Sequence, residues 1–93
     1  MIIINIAGFL TDFTEGRSRI ELQNPAATVE DAFDELWQLH PGLRDRVLNE
    51  RGQLRQHVNV FLDNENIRRK DQLLTALPET TEITILPAVS GGQ

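Results

Sequence analysis

Apolar residues recur at every second position near the start, the middle and the end of the chain, and at every third or fourth position over one stretch between them. Residues 2–9 are rich in β-branched side chains. Alternation puts Ile2, Ile4 and Ile6 on one face and Ile3, Asn5 and Ala7 on the other, so a strand with one apolar face is predicted. Residues 10–16 carry Thr, Asp, Glu and Gly, a loop composition. Alternation then resumes over 17–23, where Ser18, Ile20 and Leu22 punctuate polar neighbours, and a hairpin follows. Asn24-Pro25-Ala26-Ala27 breaks that strand. Thr28-Val29-Glu30-Asp31 then resembles a capping box, with a hydroxyl able to accept an orphan helix N–H and carboxylates at the positive end of the dipole. From Val29 onward Ala32, Phe33, Leu36 and Leu39 keep helical spacing until His40-Pro41-Gly42 stops the helix, and Trp37 flanks the stripe as a core-edge residue.

Residues 43–56 are densely charged around Leu43, Val47, Leu48 and Leu54, and predict a short helical turn followed by a mobile loop. Alternation returns over 57–62, with Val58, Val60 and Leu62 facing one way and His57, Asn59 and Phe61 the other. Asp63-Asn64-Glu65-Asn66 lacks the central Gly and distal Glu of a calcium loop and reads as a hairpin turn, with a short return strand at Ile67. A helical turn over 71–77 is expected to place Leu73, Leu74 and Leu77 in the core. The last strand then turns Ile83 and Ile85 inward before Pro87, which has no N–H for a ladder.

This order of elements predicts a small α+β domain, a β-grasp with a mixed sheet of four to five strands packed on one main helix. The first and last strands lie side by side and parallel at the sheet's centre, because the helix makes the crossover. The division is 1–86 for the domain and 87–93 for a flexible tail. On the sheet face away from the helix, Ile3, Phe61 and Leu86 form a candidate patch for docking a partner.

Composition narrows the function. The formal charge of −5 disfavours nucleic acid and anionic lipid as partners, and the arginines Arg44, Arg46, Arg51 and Arg55 are interleaved with Asp45 and Glu50 without aromatic stacking residues. Arg68-Arg69-Lys70 is a brief basic run that can dock a partner. Absence of Cys excludes thiolate metal sites and cysteine nucleophiles, and His40 and His57 are too isolated to bind metal. The acidic side of the helix reads as a solvated face. The N-terminus lacks a basic leader and an apolar run long enough to span a bilayer, so a cytoplasmic location is expected. No Ser/His/Asp arrangement or phosphate loop marks the chain as an enzyme, and no bound cofactor is expected.

The ending Ile85-Leu86-Pro87-Ala88-Val89-Ser90-Gly91-Gly92, with Val58-Asn59 upstream, resembles the ubiquitin-like sulfur carriers of the MoaD/ThiS family. The residues 57–64 together with Leu86-Pro87-Ala88-Val89 look closer to the branch that serves cysteine synthesis. The resemblance implies that Gly92 carries the sulfur: an E1-like enzyme adenylates it with ATP, and a sulfur donor converts the adenylate to a thiocarboxylate for a sulfur-accepting synthase. Val89, Ser90 and Gly91 would be read by the partner as the tail enters its active site. Residues 88–92 reach roughly 17 Å when extended, and glycines slim the tip. Gln93 departs from the family's ending and leaves Gly92 with an amide instead of a carboxylate. Cleavage between Gly92 and Gln93 by a JAMM-type zinc peptidase is the expected remedy. Alternatives are a ubiquitin-like protein modifier and the small subunit of molybdopterin synthase.

Overall fold

The computed structural model describes residues 1–87, and residues 88–93 lie outside the described part. Strand β1 (Ile2–Ile6) leads through a 3-10 turn (Gly8–Phe13) into β2 (Arg19–Leu22), and helix α1 (Val29–Leu39) is followed at once by α2 (Pro41–Val47). Strands β3 (Val58–Leu62) and β4 (Glu65–Asn66) make a hairpin, two further 3-10 turns (Ile67–Arg69 and Gln72–Leu74) cross to the far side, and β5 (Thr81–Pro87) completes the fold.

Local chemistry explains the two helices. The Thr28 hydroxyl accepts the Asp31 N–H at 3.2 Å, and Glu30 and Asp31 occupy the first turn of α1, where the helix dipole favours negative charge. Val29, Ala32, Phe33 and Leu36 are the buried stripe. The helix ends because Pro41 disfavours helical geometry in the residue before it, and His40 adopts φ −139° while its N–H still bonds Leu36 O at 2.8 Å. Pro41 then sits at the start of α2, where its missing N–H has no cost. The proline that stops one helix therefore begins the next.

The five strands run in the order β2-β1-β5-β3-β4. Strands β1 and β5 are parallel at the centre, with Ile4 opposite Ile83 and Ile6 opposite Ile85, whereas β1–β2, β3–β5 and β3–β4 are antiparallel. This is the expected α+β β-grasp. Ile2, Ile4, Ile6, Val60, Ile83 and Ile85 from the sheet join Phe33, Leu36, Leu43 and Val47 from the helices in one core. Each such side chain contributes about 1.5–3 kcal/mol by leaving water. Trp37 is partly buried at the core's rim, with its ring 5.1 Å from that of Phe33.

Four expectations differ from what is found. The segment after α2 is folded, not a mobile loop: Leu48 and Leu54 pair across an isolated bridge, both are buried, and Asn49 Oδ1 accepts the N–H groups of Arg51 and Gln53 at 2.9 and 3.0 Å. The return strand is only Glu65–Asn66, and Ile67 opens a 3-10 turn that drops its fully buried side chain into the core. Leu74 does not plug the core. Gln72 adopts φ +52°, the turn tightens, and Leu74 is left 66% exposed while Leu73 and Leu77 pack against the core. Finally, β5 extends one residue further than the predicted boundary, to Pro87, which stands opposite Val58.

Candidate functional site

Pro87 is the last described residue, and residues 88–93 follow it in sequence from the end of β5. The Ala7 N–H donates to Ile85 O at 3.0 Å, so the polar groups of Ile85 face β1. Alternation turns those of Leu86 toward β3 and those of Pro87 back toward β1. By that point β1 has ended. Gly8 takes φ +64°, which is strained for any residue with a Cβ, and carries the chain into the 3-10 turn. The absent N–H of Pro87 thus falls where no ladder partner stands, which reconciles a proline with a central strand. A Cβ on Gly8 would lie 3.1 Å from Pro87 Cγ, so the glycine also admits the proline ring. The Thr11 hydroxyl donates to Gly8 O at 3.0 Å and holds this turn closed.

The other flank of the exit is built by an arginine. Because β4 is only two residues long, the Val58 carbonyl has no strand beside it, and Arg68 Nη2 donates to it at 2.7 Å while also reaching the Arg55 carbonyl. One side chain of the basic run thereby finishes an edge that β4 leaves uncovered.

Ile3, Phe61 and Leu86 all alternate with core positions and so fall on the sheet face away from α1. Phe61 stands opposite Thr84 and Leu86 opposite Asn59, which makes Phe61 and Leu86 diagonal neighbours, both half-buried. Ile3 is not part of the same cluster. It lies between Glu21 and Glu82 in register and is only 5% exposed, and Glu82 and Thr84 of β5 separate it from Phe61. Most of this face is polar: Asn5 Nδ2 donates to Glu82 Oε1 at 2.8 Å, and Arg19, Glu21 and Asn59 surround it.

One residue beside the exit was missed by sequence pattern. Phe9, next to the glycine that packs on Pro87, is 60% exposed. Its apolar neighbours made it read as the end of β1. The signal was Gly8, a residue that permits the chain to leave the strand one position earlier. The candidate tail and processing residues Val89, Ser90, Gly91, Gly92 and Gln93 lie outside the described residues.

Among the described residues no group of three or more His, Asp or Glu side chains is placed to hold a metal ion, and no helix is long and apolar enough to cross a membrane. The end of β5 is flanked by the half-buried Phe61 and Leu86 on one face of the sheet.

Comparison with known proteins agrees with this geometry. The family model described as the ThiS family matches residues 4–92. Small archaeal modifier protein 1 of Haloferax volcanii is 40% identical over 70 residues, covering 71% of both proteins. The sulfur carrier protein CysO of Mycobacterium tuberculosis is 27% identical over 93 residues, covering 98% of both. A solved structure of the Amycolatopsis orientalis BexX/CysO complex contains a chain that superposes with a TM-score of 0.88 at 29% identity, covering 99% of this chain and all of that one.

Proposed function

We propose that this chain, which belongs to the ThiS family of ubiquitin-like sulfur carriers and is CysO-like, donates sulfur from a thiocarboxylate at Gly92. The observation that carries this reading is the extent of the family match, which ends at Gly92 and leaves Gln93 outside it. A peptidase of the JAMM zinc type hydrolyses the Gly92–Gln93 amide and frees the carboxylate. An E1-like enzyme then joins that carboxylate to the α-phosphate of ATP with loss of pyrophosphate. A sulfur donor displaces AMP to leave the thiocarboxylate, and a synthase takes the sulfur into cysteine or a cofactor. In this scheme the chain is a co-substrate, ATP and the sulfur donor are held by the activating partner, and the cytoplasm supplies all of them. Phe61 and Leu86, beside the exit, are the contact surface for these partners.

Intact-mass spectrometry of the chain recovered from its native cell tests the proposal. The expected species ends at Gly92, with a fraction carrying sulfur in place of one oxygen. Efficient adenylation of the chain with Gln93 retained would overturn the processing step.

The 40% identity to a protein named as a modifier favours one second reading, in which Gly92 is joined to a lysine amine of a target. Conjugates of higher mass that survive reductant distinguish it from the carrier reading.

A further inference from the structure

Strand β2 is one edge of the sheet, and the phase of its ladder leaves part of its backbone facing outward. The Ile6 N–H donates to Ser18 O at 2.8 Å, so with Ile4 opposite Ile20 and Ile2 opposite Leu22 the even-numbered residues turn their N–H and C=O groups to β1. Those of Arg19 and Glu21 point the other way. Among the described residues their one partner is the Gln23 side chain, whose Nε2 lies 3.4 Å from Glu21 O. The row is closed at both ends: the Arg17 N–H donates to Thr14 O at 3.0 Å, and the Gln23 N–H donates to Glu35 Oε2 at 2.8 Å. The open stretch is therefore Arg19-Ile20-Glu21.

The side chains make this stretch complementary to itself. Arg19 and Glu21 are exposed, carry opposite charges and project from the same face of the strand, while Ile20 projects from the other. Antiparallel pairing of two β2 edges about a two-fold axis at Ile20 sets Arg19 of each copy opposite Glu21 of the other, and the outward N–H and C=O groups of that pair meet. A register shifted by two residues puts Arg19 opposite Arg19 or Glu21 opposite Glu21, and like charges directly opposed are disfavoured. On the helix side of the edge a shallow concavity of about 550 Å³ is bordered by Ile20, Leu39 and His40, and Leu39 is 49% exposed. Apolar surface thus lies next to the open strand.

We infer that β2 is a dimerisation edge, through which two copies of this chain join into one continuous sheet about a two-fold axis at Ile20. The strand order across the seam is β5-β1-β2-β2-β1-β5, and the two β5 strands run in opposite directions. Phe61 and Leu86 lie on the far side of β1 from the seam and stay uncovered. Nothing in this contact involves Gly92, so it holds under either reading of the tail. The contact is small and each copy carries a formal charge of −5, so the dimer is weak and forms more readily when salt screens the net repulsion.

Sedimentation equilibrium of the full chain at physiological ionic strength, from micromolar to millimolar concentration, tests this edge. A monomer–dimer equilibrium is expected, and Arg19→Glu or Glu21→Arg alone weakens it at least about tenfold, because two cross-strand pairs turn from attractive to repulsive. Both side chains are exposed, so the circular dichroism of each variant stays that of the wild type. An equimolar mixture of the two single variants, or the double variant Arg19→Glu/Glu21→Arg, restores opposite charges across the seam and recovers association. Amide exchange followed by NMR reads the backbone itself: the Arg19 and Glu21 N–H groups exchange more slowly as concentration rises. A chain that stays monomeric at millimolar concentration, a dimer indifferent to the single swaps, a mixture that does not recover, or amide exchange at Arg19 and Glu21 that ignores concentration overturns the inference.

Discussion

The two faces of the sheet are made by the same strands and obey opposite rules. Toward α1, Ile4, Val60, Ile83 and Ile85 are all fully buried and lie side by side in register. On the other face the intervening residues are Asn5, Asn59, Glu82 and Thr84, with Phe61 and Leu86 half-covered near the end of β5. One face carries the dry core, and the other, apart from the buried Ile3, is polar or half-covered and contributes less to the fold. Recognition can be placed on the open face because the stability is supplied from behind it.

Substitutions that cross this divide should have graded effects. The largest belongs to the covered face: Ile83→Ala empties a fully buried central position and is expected to cost about 2–5 kcal/mol, read as a lowered urea midpoint at unchanged slope. Next comes the joint between the faces. Gly8→Ala forces a Cβ into a left-handed backbone and against the Pro87 ring, and about 1–2 kcal/mol is expected, together with slower activation of the tail, from chemical denaturation and pyrophosphate exchange. Thr28→Ala removes the α1 cap behind the sheet and should cost about 1 kcal/mol, seen as a lower Tm. Smallest of all, Leu86→Ala on the open face should change stability by less than about 1 kcal/mol while raising KM for the activating enzyme, and Leu74→Ser, exposed elsewhere, should stay within about 0.5 kcal/mol and leave KM alone. A Leu86 variant that unfolds the protein, or a Leu74 variant that weakens activation, would erase the contrast between the faces.

What the chain's pattern revealed follows from how local each cause is. The alternation of Ile2, Ile4 and Ile6 and the Thr28 cap act over a few residues, so strands, helix and topology were legible. The pairing of Leu48 with Leu54 is made by backbone hydrogen bonds, Asn49 N–H to Gln53 O and Arg55 N–H to Val47 O, across a turn whose charged residues, Glu50 and Arg51, look like solvated loop. Leu74 read as core because three leucines in five residues look like a buried stripe, and only the positive φ at Gln72 decides which of them turns outward. Ile3 was legible in its face but not in its burial, since its cover comes from the strands on either side and not from above. The apolar contact of Pro87 with Gly8 joins residues far apart in sequence, and Phe9 beside it was hidden for the same reason. The chemistry of the last residues was legible only as a resemblance, because glycines carry no functional group of their own.

The parallel pairing of β1 with β5 also sets the protein's response to force. The end of β5 is the point from which residues 88–93 continue, and β1 starts at the opposite end of the same ladder, with Ile2 beside Thr81. When the chain is pulled at residue 88 and held at Met1, the load runs along this ladder in shear, and its hydrogen bonds share the tension instead of opening one after another. A pull on the tail therefore loads the central β1–β5 ladder in shear.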